Sequence, residues 1–224
     1  GAPLLPKGRV VKLLGCCHDV LNAQQGAPPP GVLLRNVNQV LLTLLKHPLY
    51  AEYVGSSVSS RLLRQYTNVM VLLGWEDVAK EHVAVLVYLL RHYERFSPLQ
   101  DRECLKACVS AMRELAAVAK RSKRGNDFRE IWTELTPGIN TCCTMLLQAD
   151  YKAFVTFTNN LTDVMLSVWR TLWTLPKAAL QNSNGLVHEV LLFFILVCAV
   201  RPESTEPESV SADEAIQRCV AEDR

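Results

Sequence analysis

What this 224-residue sequence lacks removes several classes of function at once. No two cysteines stand in C-x-x-C spacing and no H-E-x-x-H occurs, so no common zinc motif is legible. There is no G-x-S-x-G, no Walker loop and no kinase signature. No stretch alternates apolar and polar residues for long enough to read as a strand. The most apolar run, 190–200, is too short to span a bilayer, and residues 1–12 lack the apolar core and cleavage site of a secretory signal. A strict repeat period is missing too, which disfavours tetratricopeptide and ankyrin arrays.

What is present is apolar, helical and unevenly charged. Apolar residues make up 49% of the chain, enough for a sizeable core. Residues 1–130 hold 18 Lys and Arg against 11 Asp and Glu, a net of +7. Residues 131–224 hold 6 against 11, a net of −5. A basic half followed by an acidic half suggests electrostatic contacts, between parts of the molecule or with partners. The eight cysteines, at 16, 17, 104, 108, 142, 143, 198 and 219, mostly sit inside apolar helical patterns. They read as buried reduced thiols of a cytosolic or nuclear protein. The chain opens on Gly1 in mid-pattern, as expected of a fragment of something longer.

Apolar residues recur at spacings of three and four through 61–75, 78–96, 99–118 and 163–173. A first helix is expected over 7–22, with Val10, Val11, Leu14, Cys17, Val20 and Leu21 inward. Pro28–Pro30 force a loop, and 32–46 follows with Leu33, Leu34, Val37, Leu41 and Leu44 in its stripe. Residues 49–54 form a turn or short helix. Ser56 and Ser57 are N-cap candidates for a helix stopped at Gly74. Glu76 and Asp77 suit the positive end of a helix over 78–95. Ser97, Pro98 and Gln100 form a capping signal for a helix to about Lys120. Residues 128–147 read as one helix or two, interrupted near Thr136, Pro137 and Gly138. Helices at 153–175 and 186–200 follow around a turn at 181–185, the latter expected to be buried. Residues 202–209 are an acidic linker, and Ser211–Glu214 cap one last short helix. About nine helices with short connections predict an all-α fold, either a bundle or an α-solenoid of stacked antiparallel hairpins of the HEAT or armadillo kind. The expected division is a solenoid segment over 1–201 and a linker with a terminal helix over 202–224.

Candidate chemistry is sparse. Cys16, Cys17 and His18 are adjacent, and neighbours on a helix point about 100° apart, so they do not converge on one ion. Cys104 and Cys108 share a helix face, but no histidine or second pair accompanies them. Trp169 and Trp173, four apart, are expected to serve packing. No nucleophile–base pair, metal set or cofactor motif is legible, so catalytic, metal and cofactor residues are expected to be none. The densest cation cluster is Lys120, Arg121, Lys123 and Arg124, flanked by Arg113 and Arg129. Its plain role is compensation of a helix dipole. Its functional role would be contact with DNA phosphates or an acidic partner segment.

Read in order, the segments resemble the N-terminal helical solenoid of the ataxia-telangiectasia mutated kinase family, among the phosphatidylinositol-3-kinase-related protein kinases. Ala2 and Pro3 ahead of the helix at 7–21 look like the Ala-Pro-led helix of that solenoid. Residues 41–66, LLTLLKHPLYAEYVGSSVSSRLLRQY, are similar to its LLK, aromatic-pair and Tyr-ended helix. Residues 105–147, with RELAAVAKR and LTPGIN, follow its helix order. The resemblance implies a non-catalytic regulatory segment of a nuclear serine/threonine kinase that recruits sensors and substrates at DNA double-strand breaks and whose parent forms homodimers. Protein partners, and DNA through the basic patch, follow from it; a membrane does not. The rival expectations are a HEAT or armadillo adaptor in trafficking or cytoskeletal assembly, in the cytoplasm, and a compact helical enzyme with a hidden pocket.

Overall fold

The structure is a computed structural model that describes residues 5–22, 26–53, 56–96, 101–121 and 125–200, with the backbone alone at 51, 56–59, 96 and 125–128. The fold is all-α, and the described residues contain no strand. Among the described residues ten helices follow one another: α1 (Lys7–Asn22), α2 (Gly31–Lys46), α3 (Pro48–Tyr53), α4 (Ser56–Leu73), α5 (Lys80–Phe96), α6 (Arg102–Arg121), α7 (Gly125–Ala149), α8 (Tyr151–Trp173), α9 (Lys177–Gln181) and α10 (Asn184–Val200).

Their contacts form two rows. In one row α1 packs on α4, α4 on α6 and α6 on α8. In the other α2 packs on α5, α5 on α7 and α7 on α10. Across the rows α1 meets α2, α4 meets α5, α6 meets α7, and α8 meets α10. The long helices therefore pair off two by two in chain order. The core runs between the rows and is filled by Leu14, Leu41, Tyr66, Leu86, Met112, Trp132, Phe154 and Phe193, each at most 2% exposed. Burying side chains of this size contributes roughly 1.5–3 kcal/mol apiece.

Helix ends follow local chemistry. Gly74, at φ 81°, closes α4 in the left-handed region that the sequence assigned to it. A 3-10 turn, Trp75–Asp77, then takes up Glu76 and Asp77, so α5 opens later than expected, at Lys80. There the His82 Nδ1 accepts the Ala79 amide at 3.0 Å, and burial lowers the His82 pKa. Within the described residues α6 opens at Arg102. Asp101 caps it, accepting the Cys104 amide at 3.0 Å. Residues 97–100 lie outside the described residues, as does the Ser211–Glu214 cap. Asp150 caps α8 in the same way, through the Ala153 amide at 3.0 Å.

Three further expectations are corrected. Residues 136–138 do not break a helix: α7 runs through Pro137 without interruption. Proline removes one backbone donor and costs about 3 kcal/mol in an isolated helix. Here α5, α6, α8 and α10 all pack on α7, and that packing outweighs it. Threonine hydroxyls add bonds to the carbonyls around the proline: Thr136 donates to the Trp132 carbonyl at 2.7 Å and Thr141 to that of Pro137 at 2.9 Å. Second, the apolar stretch in α10 is only half buried. Leu186, Val190, Phe193 and Val197 face the core, whereas Leu191 is 43% and Ile195 60% exposed. No following helix covers them among the described residues. Third, Val11 and Leu33 face solvent rather than the core, and Trp173 is 57% exposed, with only Trp169 partly packed.

Candidate interaction surfaces

The basic residues singled out by sequence do not form one continuous ridge. Arg113 and Lys120 lie seven residues apart on α6, hence on one helix face, and both are exposed. Arg113 is held by Glu114 at 3.3 Å and lines a groove of about 340 Å³ between α6 and α8, together with Lys152 and Phe157. Arg121 reaches the other way and pairs with Glu76 of the 3-10 turn at 3.0 Å. Arg129, half buried on α7, belongs to a different groove of about 370 Å³, lined also by Lys46, Lys80, Glu81, Glu130 and Glu134. Lys123 and Arg124 lie outside the described residues.

The two grooves differ in chemistry. The α6–α8 groove sets Val109, Ala153 and Phe157 among the charged Arg113, Asp150 and Lys152. It suits a peptide that carries an apolar side chain and an acidic one. The groove beside Arg129 mixes three cations with three carboxylates and holds an ion pair. Lys80 and Glu130 are 2.5 Å apart, and the contact raises the lysine pKa and lowers that of the carboxylate. Lys46 lies 5.3 Å from the centre of the Tyr88 ring. Sequence periodicity gave no sign of either groove, because each is built from helices far apart in the chain.

Two sets of buried polar groups tie helices together. Tyr66 donates to Asn38 at 2.6 Å and ties α4 to α2. Asn140 on α7 donates to the backbone carbonyl of Glu189 at 2.9 Å and to its carboxylate at 2.8 Å, which fastens α10. Cys104, Cys108, Cys142 and Cys143 are buried, as expected, whereas Cys16 and Cys198 are exposed. Burial pushes the Cys17 thiol up to about 11 and that of Cys143 up to about 12, and it holds Cys142 well above the usual range. These thiols stay protonated at neutral pH and are poor nucleophiles. Cys104 differs. A hydrogen bond with Cys108 lowers its pKa, helped by the Arg64 guanidinium, which also pairs with Asp101. Its side chain is sealed from solvent, so it has no substrate access. Among the described residues no three His, Cys, Asp or Glu side chains are grouped to hold a metal ion. Nor is any described helix long and apolar enough to cross a membrane.

Comparison with protein-family models, with curated proteins and with solved structures finds no match.

Proposed function

We propose that this segment is a non-catalytic interaction scaffold, an α-solenoid of four stacked hairpins of the HEAT kind. The observation that supports this reading is the two-row order of contacts. Helices α1, α4, α6 and α8 stack in one row and α2, α5, α7 and α10 in the other, each hairpin touching mainly its neighbours. A stack of this kind offers long grooved surfaces and no closed pocket, which suits holding partners rather than transforming substrates. The resemblance to the regulatory solenoid of the ataxia-telangiectasia mutated kinase family gives the reading its cellular setting: a nuclear DNA-damage kinase whose chemistry resides in another part of the chain. The working surface is the set of exposed cations Arg113, Lys120 and Arg121 on α6, together with Lys123 and Arg124, which follow in the sequence outside the described residues. Its partners are acidic peptide segments and DNA backbone phosphates.

Charge reversal at Lys120, Arg121, Lys123 and Arg124 tests the surface. Binding to duplex DNA in a gel shift, and to acidic peptides in a pull-down, is expected to fall at least about tenfold, with a steep salt dependence in the parent protein. The helical circular-dichroism signal and melting temperature should hold, because Lys120 and Arg121 are exposed. Binding that survives the reversal removes the assignment of this surface.

A further inference from the structure

We propose that the chain's own segment 211–222 folds back as a helix onto the outer face of α10 and caps the stack. The argument starts from α10, which is apolar on two opposite sides. Its inner stripe, Leu186, Val190, Phe193 and Val197, is buried against the core. Its outer stripe, Leu191, Leu192, Ile195, Cys198 and Ala199, recurs at spacings of one and three, the pattern of a helix–helix seam. Leu191, Ile195, Cys198 and Ala199 of that stripe are exposed, and Leu192 is partly so. The described residues place no helix over it. A soluble stack with a bare apolar end is prone to association, and terminal repeats normally carry a polar outer face.

The end of the stack needs one helix and not a further hairpin. α8 closes the other row, and its solvent face carries Thr156, Asn159, Asn160, Asp163, Ser167 and Arg170. That face is already polar and has no use for a cover. Only α10 lacks one. The sequence beyond Val200, which lies outside the described residues, holds a matching element. Ala212, Ala215, Ile216, Cys219 and Val220 recur at three and one, while Asp213, Glu214, Gln217 and Arg218 fall between them and Glu222 follows. The pattern is a narrow apolar seam with a charged back. Small alanines beside Ile216 and Val220 suit close approach to Leu191 and Ile195. The ten residues 201–210 can extend to about 33 Å, and α10, at 17 residues, is about 25 Å long, so the linker allows the return. The tether also gives the segment an effective concentration near the millimolar range, which favours it over a second copy of the chain.

Cys198 is a native reporter in the outer stripe. In the full chain, amides of 211–222 are expected to exchange more slowly than an unstructured segment would, and Cys198 to react slowly with maleimide. Ile216→Asp and Ile195→Asp, made separately, should each abolish protection of 211–222. Ile216→Asp should also raise Cys198 alkylation by about tenfold or more. Ile195 is 60% exposed, so Ile195→Asp spares the core, and unchanged protection in α5 and α7 is the check applied to both variants. Three results would each overturn the proposal: exchange of 211–222 at unstructured rates in the parent chain, alkylation indifferent to Ile216→Asp, or a concentration-dependent dimer in light scattering that Ile195→Asp dissociates and Ile216→Asp does not. The DNA and peptide binding attributed to α6 is a separate readout, so failure of either idea leaves the other standing.

Discussion

Helices α7 and α10 pack against each other, and their sequences describe the opposite of their positions. α7 contains a proline, a glycine, four threonines and an asparagine in its interior and is packed by four other helices. α10 is almost wholly apolar, with His188 and Glu189 as its only ionisable side chains between Leu186 and Val197, yet half of it faces outward. Mean hydropathy therefore does not rank the two by burial. What separates them is the number of faces in use. α7 can bury Thr136 and Thr141 because their hydroxyls bond back to carbonyls of the same helix, a local solution that needs no partner element. α10 has more apolar surface than one row of neighbours can cover. Its excess apolarity is better read as a second interface than as depth in the core.

The sharpest way to break this comparison is to ask whether α10 is fastened at all. Phe193 is fully buried on its inner stripe. Phe193→Ala should lower stability by about 3–5 kcal/mol in urea unfolding, as for a side chain in the middle of a core. The hydrogen bonds from Asn140 to Glu189 would persist and keep the helix in register. A loss below about 1 kcal/mol would mean that α10 merely lies on the surface, and the contrast with α7 would become one of core against appendage.

A smaller effect tests why α7 tolerates glycine. A Cβ built on Gly138 would stand 2.7 Å from Val87 Cγ2 and 2.9 Å from Met112 Sδ. The helices α5 and α6 thus close on α7 at a residue without a side chain. Met112 can swing aside, but Val87 is buried and stiff at χ1. Gly138→Ala should therefore destabilise by about 1–3 kcal/mol, although alanine is the better helix former by about 1 kcal/mol. If the variant proves more stable in thermal melts, helix propensity outweighs the close approach, and the glycine is no packing device.

The same pair of helices shows what the sequence could and could not reveal. Periodicity located every long helix, with α1 correct at both ends, because an amphipathic stripe is a local property. The Pro137–Gly138 pair misled, since a breaker in an isolated helix becomes neutral once neighbouring helices hold it, and those neighbours lie 40 residues or more away in α5. The apolar run of α10 misled in the other direction, since hydropathy reports a need for cover and not whether cover is present. Among the candidate surface residues, Arg113, Lys120 and Arg121 could be assigned to the end of α6 from sequence. That Arg129 would turn into a different groove, beside Lys46 and Lys80, could not be read without the packing of α2, α5 and α7.

The last contrast concerns protons and is nearly silent at pH 7. Cys143 is buried within α7, and its thiol is pushed up to about 12 from an ordinary value of 9.0. Between those values the folded chain keeps a proton that the unfolded chain releases. The native state then binds more protons, so stability falls as pH rises, by up to about 1.4 kcal/mol per pH unit for one such group. Its contribution is complete below pH 9 and is lost as pH climbs through 9 toward 12. Tyr93, pushed up to about 12 chiefly by burial, adds to the same trend above its ordinary value of 10.0. Urea unfolding at steps from pH 8 to 11 should therefore show a declining free energy, and Cys143→Ala should decline less steeply while changing little at pH 7. Parallel slopes for the two proteins would mean that water reaches Cys143, and the interior of α7 would then be no drier than the outer stripe of α10.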